Sequence, residues 1–331
     1  MSMKELKQQR DFFGEALLEL GQANDKVLVL TADLESSLKL TPFKKKYPER
    51  FFNVGVAEQN MIGMAAGLSF EGFIPFCASF AVFLPGRCFD QIRVSVCQNQ
   101  ANVKFIGGHL GFSNSGDGAS AQSVEDIALM RSLPEMVVLC PFDGAEVCGL
   151  TKLAVEHKGP VYLRISKSEV PQSSAVSRQP SDFKIGGSRI LQEGNDLTIL
   201  SHGPILGKVL GAVGSSQLSA IPPSPSDLKG YGGASSIEVI DAYSVKPLDK
   251  ETILKSAAKT GKVLIVEEHS IYGGLGSTVA ELLSQEYPLP VKTLGIPDVF
   301  GESARSREEL LAKYGLNSQN IVKVIKQLVI K

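Results

Sequence analysis

Three things are scarce in this 331-residue sequence: net charge, long apolar runs and paired metal ligands. Each scarcity removes a class of function. The 34 Lys and Arg residues are nearly cancelled by 35 Asp and Glu. Without a basic field there is no footing on a nucleic-acid backbone or an anionic membrane, so neither partner is expected. The most apolar uncharged stretch, Gly72 to Gly86, contains Pro75 and Pro85 and falls well short of the roughly 20 apolar residues of a spanning helix. It reads as a core segment. The start, MSMKELKQQR, is charged and has no apolar signal region, which makes the cytoplasm the expected compartment. Cys77, Cys88, Cys97, Cys140 and Cys148 form no CxxC pair and mostly lie in apolar runs, so free buried thiols are expected. Four histidines without His/Cys pairing leave no zinc site, and no metal ligand is assigned to this chain.

What is present is a strong alternation of periods. At roughly 150 residues per domain and 43% apolar content, the length suits two domains, each with its own core. Phe12, Phe13, Ala16, Leu17 and Leu20 recur at helical spacing, and VLVLT (Val27 to Thr31) then reads as a buried strand. The same unit repeats through a helix at Asn60 to Phe70, strand FIPFC, a helix at Arg87 to Gln98, strand VKFIG, a helix at Ser123 to Arg131, strand MVVLC, a helix at Ala145 to Glu156, and strand PVYLRI. The fold class is therefore α/β: two domains, each a mostly parallel sheet with helices on both faces. The polar stretch from Pro171 to Gly187 has no period and reads as an exposed linker, with the boundary near residue 185. Alternation then resumes to a closing helix capped near Ser318. It is interrupted between Gly214 and Ser236 by a Ser/Pro/Gly-rich insertion expected as a mobile surface excursion.

One carboxylate stands out. In FFNVGVAEQNMIGMAAGLSFEGFIPFCASFAVF, Glu58 is set among apolar and small residues, where desolvation would let it hold a proton near neutral pH. A helix N-terminal carboxylate, ionised and favoured by the helix dipole, is the plainer alternative.

That stretch, together with SFAVFLPGRCFDQIR, DGASAQSVEDIALMRSLPEMVVLCPFDGAE, VYLRIS, VEEHSIYGGLGSTVAELL and GIPDVFGES, resembles the C-terminal half of transketolases. The resemblance is strongest to the separate C-terminal subunit of split transketolases, and runs from about Arg10 to the last helix. It implies a pyrimidine-binding domain over 1–170, the linker at 171–187, and a transketolase C-terminal domain over 188–331 that carries the 214–236 insertion. It also implies thiamine diphosphate shared with a partner: an N-terminal subunit that carries the diphosphate site and its Mg2+ or Ca2+. An α2β2 assembly and sugar phosphate substrates follow from the same likeness.

By the same resemblance, Glu58 is the acid that hydrogen-bonds the aminopyrimidine ring nitrogen, favouring the imino form that takes the proton from thiazolium C2. Phe80 and Phe83 correspond to the aromatic pair beside that ring, with core packing as their ordinary alternative. The position of a third aromatic of single-chain transketolases is Gly86 here, so either the ring pocket is less enclosed on that side or Phe89 fills the space. Asp33 corresponds to an acid near the cofactor, or else caps a short helix. His109 and Asp117, in GGHLGFSNSGDGASAQS, correspond to residues that contact sugar hydroxyls or phosphate, and His109 is expected to act in catalysis. Arg10, Ser37 and Lys167 correspond to positions that hold the phosphate tail. Lys167 stands where Arg is commoner, so it offers a point charge in place of a planar fork. Ala121 stands where the family usually has a histidine near the donor carbonyl, which leaves the donor open.

Two motifs are read as decoys. The GDG of Gly116 to Gly118 has no Asn at the downstream spacing that the diphosphate motif needs, so this chain binds only the pyrimidine end. GGLGSTV (Gly273 to Val279) lacks the third small residue of the dinucleotide fingerprint and reads as a helix-packing turn. Gly63 and Gly67, four apart on one helix, permit a close crossing either within the domain or across a subunit interface. Two other functions share much of this pattern: the beta chain of a 2-oxo acid dehydrogenase or related synthase, and a non-catalytic scaffold subunit.

Overall fold

The computed structural model describes residues 6–172, 183–215 and 236–330. In chain order the elements are β1 (Leu6–Gln8), α1 (Gln9–Ala23), β2 (Val27–Thr31), α2 (Thr41–Lys46), β3 (Phe51–Asn53), α3 (Glu58–Phe70), β4 (Ile74–Phe80) and α4 (Leu84–Gln91). A π-helical turn (Ile92–Cys97) extends α4, followed by β5 (Lys104–Gly108), α5 (Asp126–Ser132), β6 (Val137–Leu139), α6 (Gly144–Glu156), β7 (Val161–Arg164) and β8 (Glu169–Pro171). The second half runs β9 (Arg189–Gln192), β10 (Leu197–Ser201), α7 (Leu206–Val213), β11 (Ile237–Asp241), β12 (Ser244–Lys246), α8 (Lys250–Thr260), β13 (Val263–Ser270), α9 (Leu275–Glu286), β14 (Val291–Ile296), α10 (Arg307–Lys313) and α11 (Ser318–Val329).

Two sheets carry the fold. The first has the order β12-β6-β7-β5-β4-β2-β3, parallel throughout except for β12, and the second has the order β14-β13-β10-β11-β9, parallel except for β9. Successive strand side chains point to opposite faces, so each sheet divides its apolar residues between two cores. On β2, Val27 and Val29 join the core under α1 and α6, whereas Leu28 and Leu30 join the core under α3 and the π-helical turn. On β13, Leu264 and Val266 pack toward α7, α10 and α11, while Val263 and Ile265 pack toward α8 and α9. Helices on both faces of mostly parallel sheets are thus present in both halves, as the alternation of periods required. Cys77, Cys88, Cys97 and Cys140 are buried, Cys148 is half-buried, and all five are free thiols.

The structure corrects the sequence reading in three places. Strands β1, β3, β8, β9 and β12 were not anticipated, because none of them holds three apolar residues in a row, as the equally short β6 and β7 do. The halves also do not part cleanly near residue 185: β12, from the second half, is the antiparallel edge strand of the first sheet. Nor is the segment at 171–187 simply exposed. Pro171 belongs to β8, which pairs with β1, and Phe183 is 5% exposed, edge-on to Tyr243 at 5.5 Å between ring centroids. Residues 173–182, and 216–235 of the expected excursion, lie outside the described residues.

A buried polar seam joins the halves. Asp126 accepts from Arg164 at Nε (2.7 Å) and Nη2 (2.9 Å) and from the Tyr162 hydroxyl (2.7 Å), while Arg164 Nη2 also donates to the Glu268 carbonyl (3.1 Å). Burial alone would raise the Asp126 carboxyl, yet the adjoining Arg164 guanidinium, helped by the Tyr162 bond, holds it below the usual aspartate range. The Glu268 carboxylate pairs with Arg307 and accepts from the Phe112 backbone N–H at 2.8 Å. Gly111 makes that approach possible: its φ is +54°, and a Cβ there would stand 2.5 Å from Glu268 Oε1. Phe112 stacks on Tyr314 at 5.2 Å. The second half therefore grips the loop that follows β5, and that loop carries His109.

Candidate active site

Because β2, β4, β5 and β7 are parallel, the residues that follow them gather on one edge of the first sheet. Asp33 follows β2, Phe80 ends β4, His109 follows β5 and Lys167 follows β7, while Arg10 comes from the first turn of α1. Along this edge runs a continuous row of side chains. The His109 ring lies 4.1 Å from Phe80, between centroids. Phe80 stacks on Phe83 at 5.6 Å with 23° between planes. Arg87 Cζ lies 4.0 Å over the Phe83 ring, and Arg87 Nη1 donates to Glu58 Oε1 at 3.0 Å.

Local structure explains the order of that row. The Phe83 N–H donates to the Phe80 carbonyl at 2.9 Å, a turn that lifts the chain from β4 into α4, with Pro85 in the first helical turn. Phe83 and Arg87 are then four residues apart and share a helix face. Glu58 is the first residue of α3, and the next residue, Gln59, anchors the Arg87 carbonyl through Nε2 at 2.9 Å. At 5% exposure Glu58 meets the expectation of a shielded acid, but its partner within this chain is a guanidinium.

His109 is 3% exposed, adopts φ +58°, and has Nδ1 without a hydrogen-bond partner among the described residues. Burial first, then the positive charges of Arg10 and Lys167, push its pKa down to about 3, so the ring is neutral around pH 7. Arg10 is locked by bonds from Nε to Gln8 Oε1 (2.6 Å) and from Nη1 to the Ser37 carbonyl (2.7 Å). Arg10, Ser37, Lys167, His109, Phe80, Phe83 and Glu58 are thus brought to one neighbourhood.

Two expected residues are not drawn into the row. Asp33, exposed at φ +60°, exchanges hydrogen bonds with Asn53 at 3.0 and 3.1 Å and caps no helix. Asp117 sits exposed in a short 3-10 turn, Ser115–Asp117. Phe89 does not fill the space beside Gly86, because it packs against the core under α3. Nothing lies within 4 Å of a Cβ built at Gly63 or Gly67, and both are exposed, so no crossing within the described residues uses them. The GGLG turn has a plain structural purpose. Its helix N-terminus is capped by the buried Glu267, which accepts from Leu275 N (2.8 Å) and Gly276 N (2.9 Å). An internal carboxylate takes the place that a dinucleotide phosphate would need.

The sequence reading missed Arg87. Its position four residues after Phe83, on the same helix, was the available signal.

Two family descriptions match the chain: "Transketolase, pyrimidine binding domain" over residues 7–173, and "Transketolase, C-terminal domain" over residues 227–321. The chain belongs to the transketolase family. A solved structure, "Split gene transketolase, inactive beta4 tetramer", is 44% identical, with a TM-score of 0.81, and the alignment covers 97% of this chain and 98% of that one. The 6-deoxy-6-sulfo-D-fructose transketolase subunit SqwH of Clostridium sp. (strain MSTE9) is 37% identical over 315 residues, 95% of this chain and 92% of its own length. Transketolase of Mus musculus is 33% identical over 326 residues, which are 97% of this chain but 49% of that protein. The chain thus has the extent of a split, C-terminal transketolase subunit, in a family of thiamine-diphosphate-dependent transferases.

The site fits the pyrimidine end of that cofactor. A shielded carboxyl beside two stacked phenyl rings suits a flat heterocycle with ring nitrogens, and the orphaned His109 Nδ1 suits a polar ligand atom. Among the described residues, no group of three or more His, Cys, Asp or Glu side chains is arranged to hold a metal. No helix among them is long and apolar enough to cross a membrane.

Proposed function

We propose that this chain supplies the pyrimidine-side half of a split transketolase that moves a two-carbon ketol unit from a ketose phosphate to an aldose. The partner would be an N-terminal subunit holding the diphosphate and its Mg2+ or Ca2+, with two copies of each chain forming two composite sites. What carries the reading is Glu58, a shielded acid at the head of the row through Phe83 and Phe80 to His109. The 44% identical split transketolase is an inactive tetramer of β chains, which agrees with a need for the second subunit.

When bound, thiamine diphosphate supplies the electron sink that lets the bond beside a ketose carbonyl break and re-form on an aldehyde. This chain's own residues would do the rest. Glu58 would exchange a proton at its Oε atoms with the aminopyrimidine ring nitrogen, a transfer that general acid–base catalysis values at roughly 10²–10⁴-fold. Phe83 and Phe80 would flank the ring and exclude water. His109, neutral and with Nδ1 free, would hydrogen-bond a substrate hydroxyl, with Asp117 and Asp33 at the margin of the site. Arg10, held by Ser37, and Lys167 would attract the phosphate tail. The exposed face of α3 with Gly63 and Gly67 offers a flat surface for a neighbouring subunit.

The test is reconstitution with the N-terminal subunit. Ketol transfer from xylulose 5-phosphate should appear only in the complex, and Glu58→Gln should lower it about 100-fold or more. Turnover of 2-oxo acids in place of ketose phosphates would instead indicate a decarboxylating synthase, and full activity of E58Q would refute the role of Glu58.

A further inference from the structure

Arg87 occupies both of the groups that the cofactor's pyrimidine ring would need. Its guanidinium pairs with Glu58 Oε1 at 3.0 Å and covers the Phe83 ring at 4.0 Å. A planar cation with N–H donors at its edge and a π-face above a phenyl ring offers Glu58 and Phe83 the contacts that an aminopyrimidine would offer. Two flat groups cannot hold the same carboxyl oxygen and the same ring face at once. The Arg87 side chain is nevertheless 49% exposed, and α4 presents it at its surface, so it can leave without disturbing the core. Its carbonyl stays anchored by Gln59 when the side chain moves, because that bond involves the backbone.

We infer that Arg87 is an internal place-holder that seats itself in the pyrimidine site of the empty enzyme and must swing out before thiamine diphosphate can bind. The inference rests on the pyrimidine-side reading above and deepens it. While the seat is empty, the place-holder keeps a desolvated carboxyl paired and an exposed aromatic face covered. Its consequence for the loaded enzyme is a competition: if the seated state is favoured over the open one by a factor K, cofactor affinity falls by 1 + K. A pair with only its arginine side half exposed, together with a cation–π contact at that surface, corresponds to a K of at least about 3 to 30.

The experiment is isothermal titration of thiamine diphosphate, with Mg2+ present, into the reconstituted complex carrying wild-type, Arg87→Met or Arg87→Lys subunit. R87M should bind about four- to thirtyfold more tightly than wild type, and R87K, which keeps the charge but loses the planar guanidinium, should fall between them. Kd is the readout, so altered turnover cannot be mistaken for the effect. Equal affinity in all three proteins overturns the inference and leaves the pyrimidine-side reading standing. Weaker binding by R87M also overturns it, because Arg87 would then be a contact to the bound cofactor. No heat from any of the three refutes the thiamine-dependent reading itself, and the place-holder with it.

Discussion

Replacing Asp126 with Asn tests how the two halves are held together. Asp126 and Arg164 have side chains 0% and 1% exposed, joined by two bonds of 2.7 and 2.9 Å, with a third from Tyr162 at 2.7 Å. Asn keeps the shape but removes the charge, which strands a buried guanidinium that water cannot reach. Breaking one side of such a pair costs about 3–5 kcal/mol, a large part of the roughly 5–15 kcal/mol that a folded chain usually has. Arg164 also spans to the Glu268 carbonyl, so the loss should be felt at the seam as well as in the first core. Urea unfolding followed by far-UV circular dichroism at pH 7 measures it. The pH dependence supplies a second check. The folded carboxyl lies below the ordinary range, so its contribution is complete above the unfolded value of about 3.9 and is lost as pH falls through the folded one. Wild type should therefore show an acid limb that D126N lacks. The triple variant Asp126→Leu, Arg164→Met, Tyr162→Phe, in which no polar side chain of the set is stranded, should recover most of the stability. A D126N loss under about 1 kcal/mol at pH 7 would refute the reasoning.

Two further outcomes follow from other parts of the molecule. His109, pushed to about 3 by burial and by Arg10 and Lys167, should remain neutral in nitrogen-15 NMR from pH 8 to 5, and a midpoint between 6 and 7 would contradict the geometry. Its folded value lies below the unfolded value of about 6.5, so this residue erodes stability as pH drops below that point. Gly274→Ala would put a Cβ 2.2 Å from Glu267 Oε2 and 2.7 Å from His269 Nδ1, and the forced shift should uncap α9. A loss of at least about 2 kcal/mol is expected, seen by calorimetry as a fall in Tm of several degrees, and an unchanged Tm would refute the cap.

The long elements and the shielded acid were legible in the sequence. α1, α3, α6, α8, α9 and α11 carry enough turns to display their period, and the buried strands β2, β10 and the first half of β13 are mostly apolar runs. Glu58 was visible because one carboxylate among small and apolar residues is chemically conspicuous. Strands β1, β3, β8, β9 and β12 were not legible, because they hold no run of three apolar residues and their pairing depends on distant partners. Arg87 was passed over because an exposed-looking arginine gains meaning only when its neighbours are known. Asp33 and Asp117 were assigned by likeness alone; Asp33 exchanges hydrogen bonds with Asn53, and Asp117 is exposed in its turn.

The amino-acid order by itself determined the fold class, the two-layered cores of each half and the acid at the head of α3, because periodicity and burial are properties of neighbouring residues along a chain. Tertiary structure alone decided that β12 crosses to the first sheet, that Glu268 grips the loop bearing His109, and that Arg87 pairs with Glu58. These contacts join residues far apart in sequence or on separate elements, and their energies exist only once parallel strands have brought the ends together at one edge.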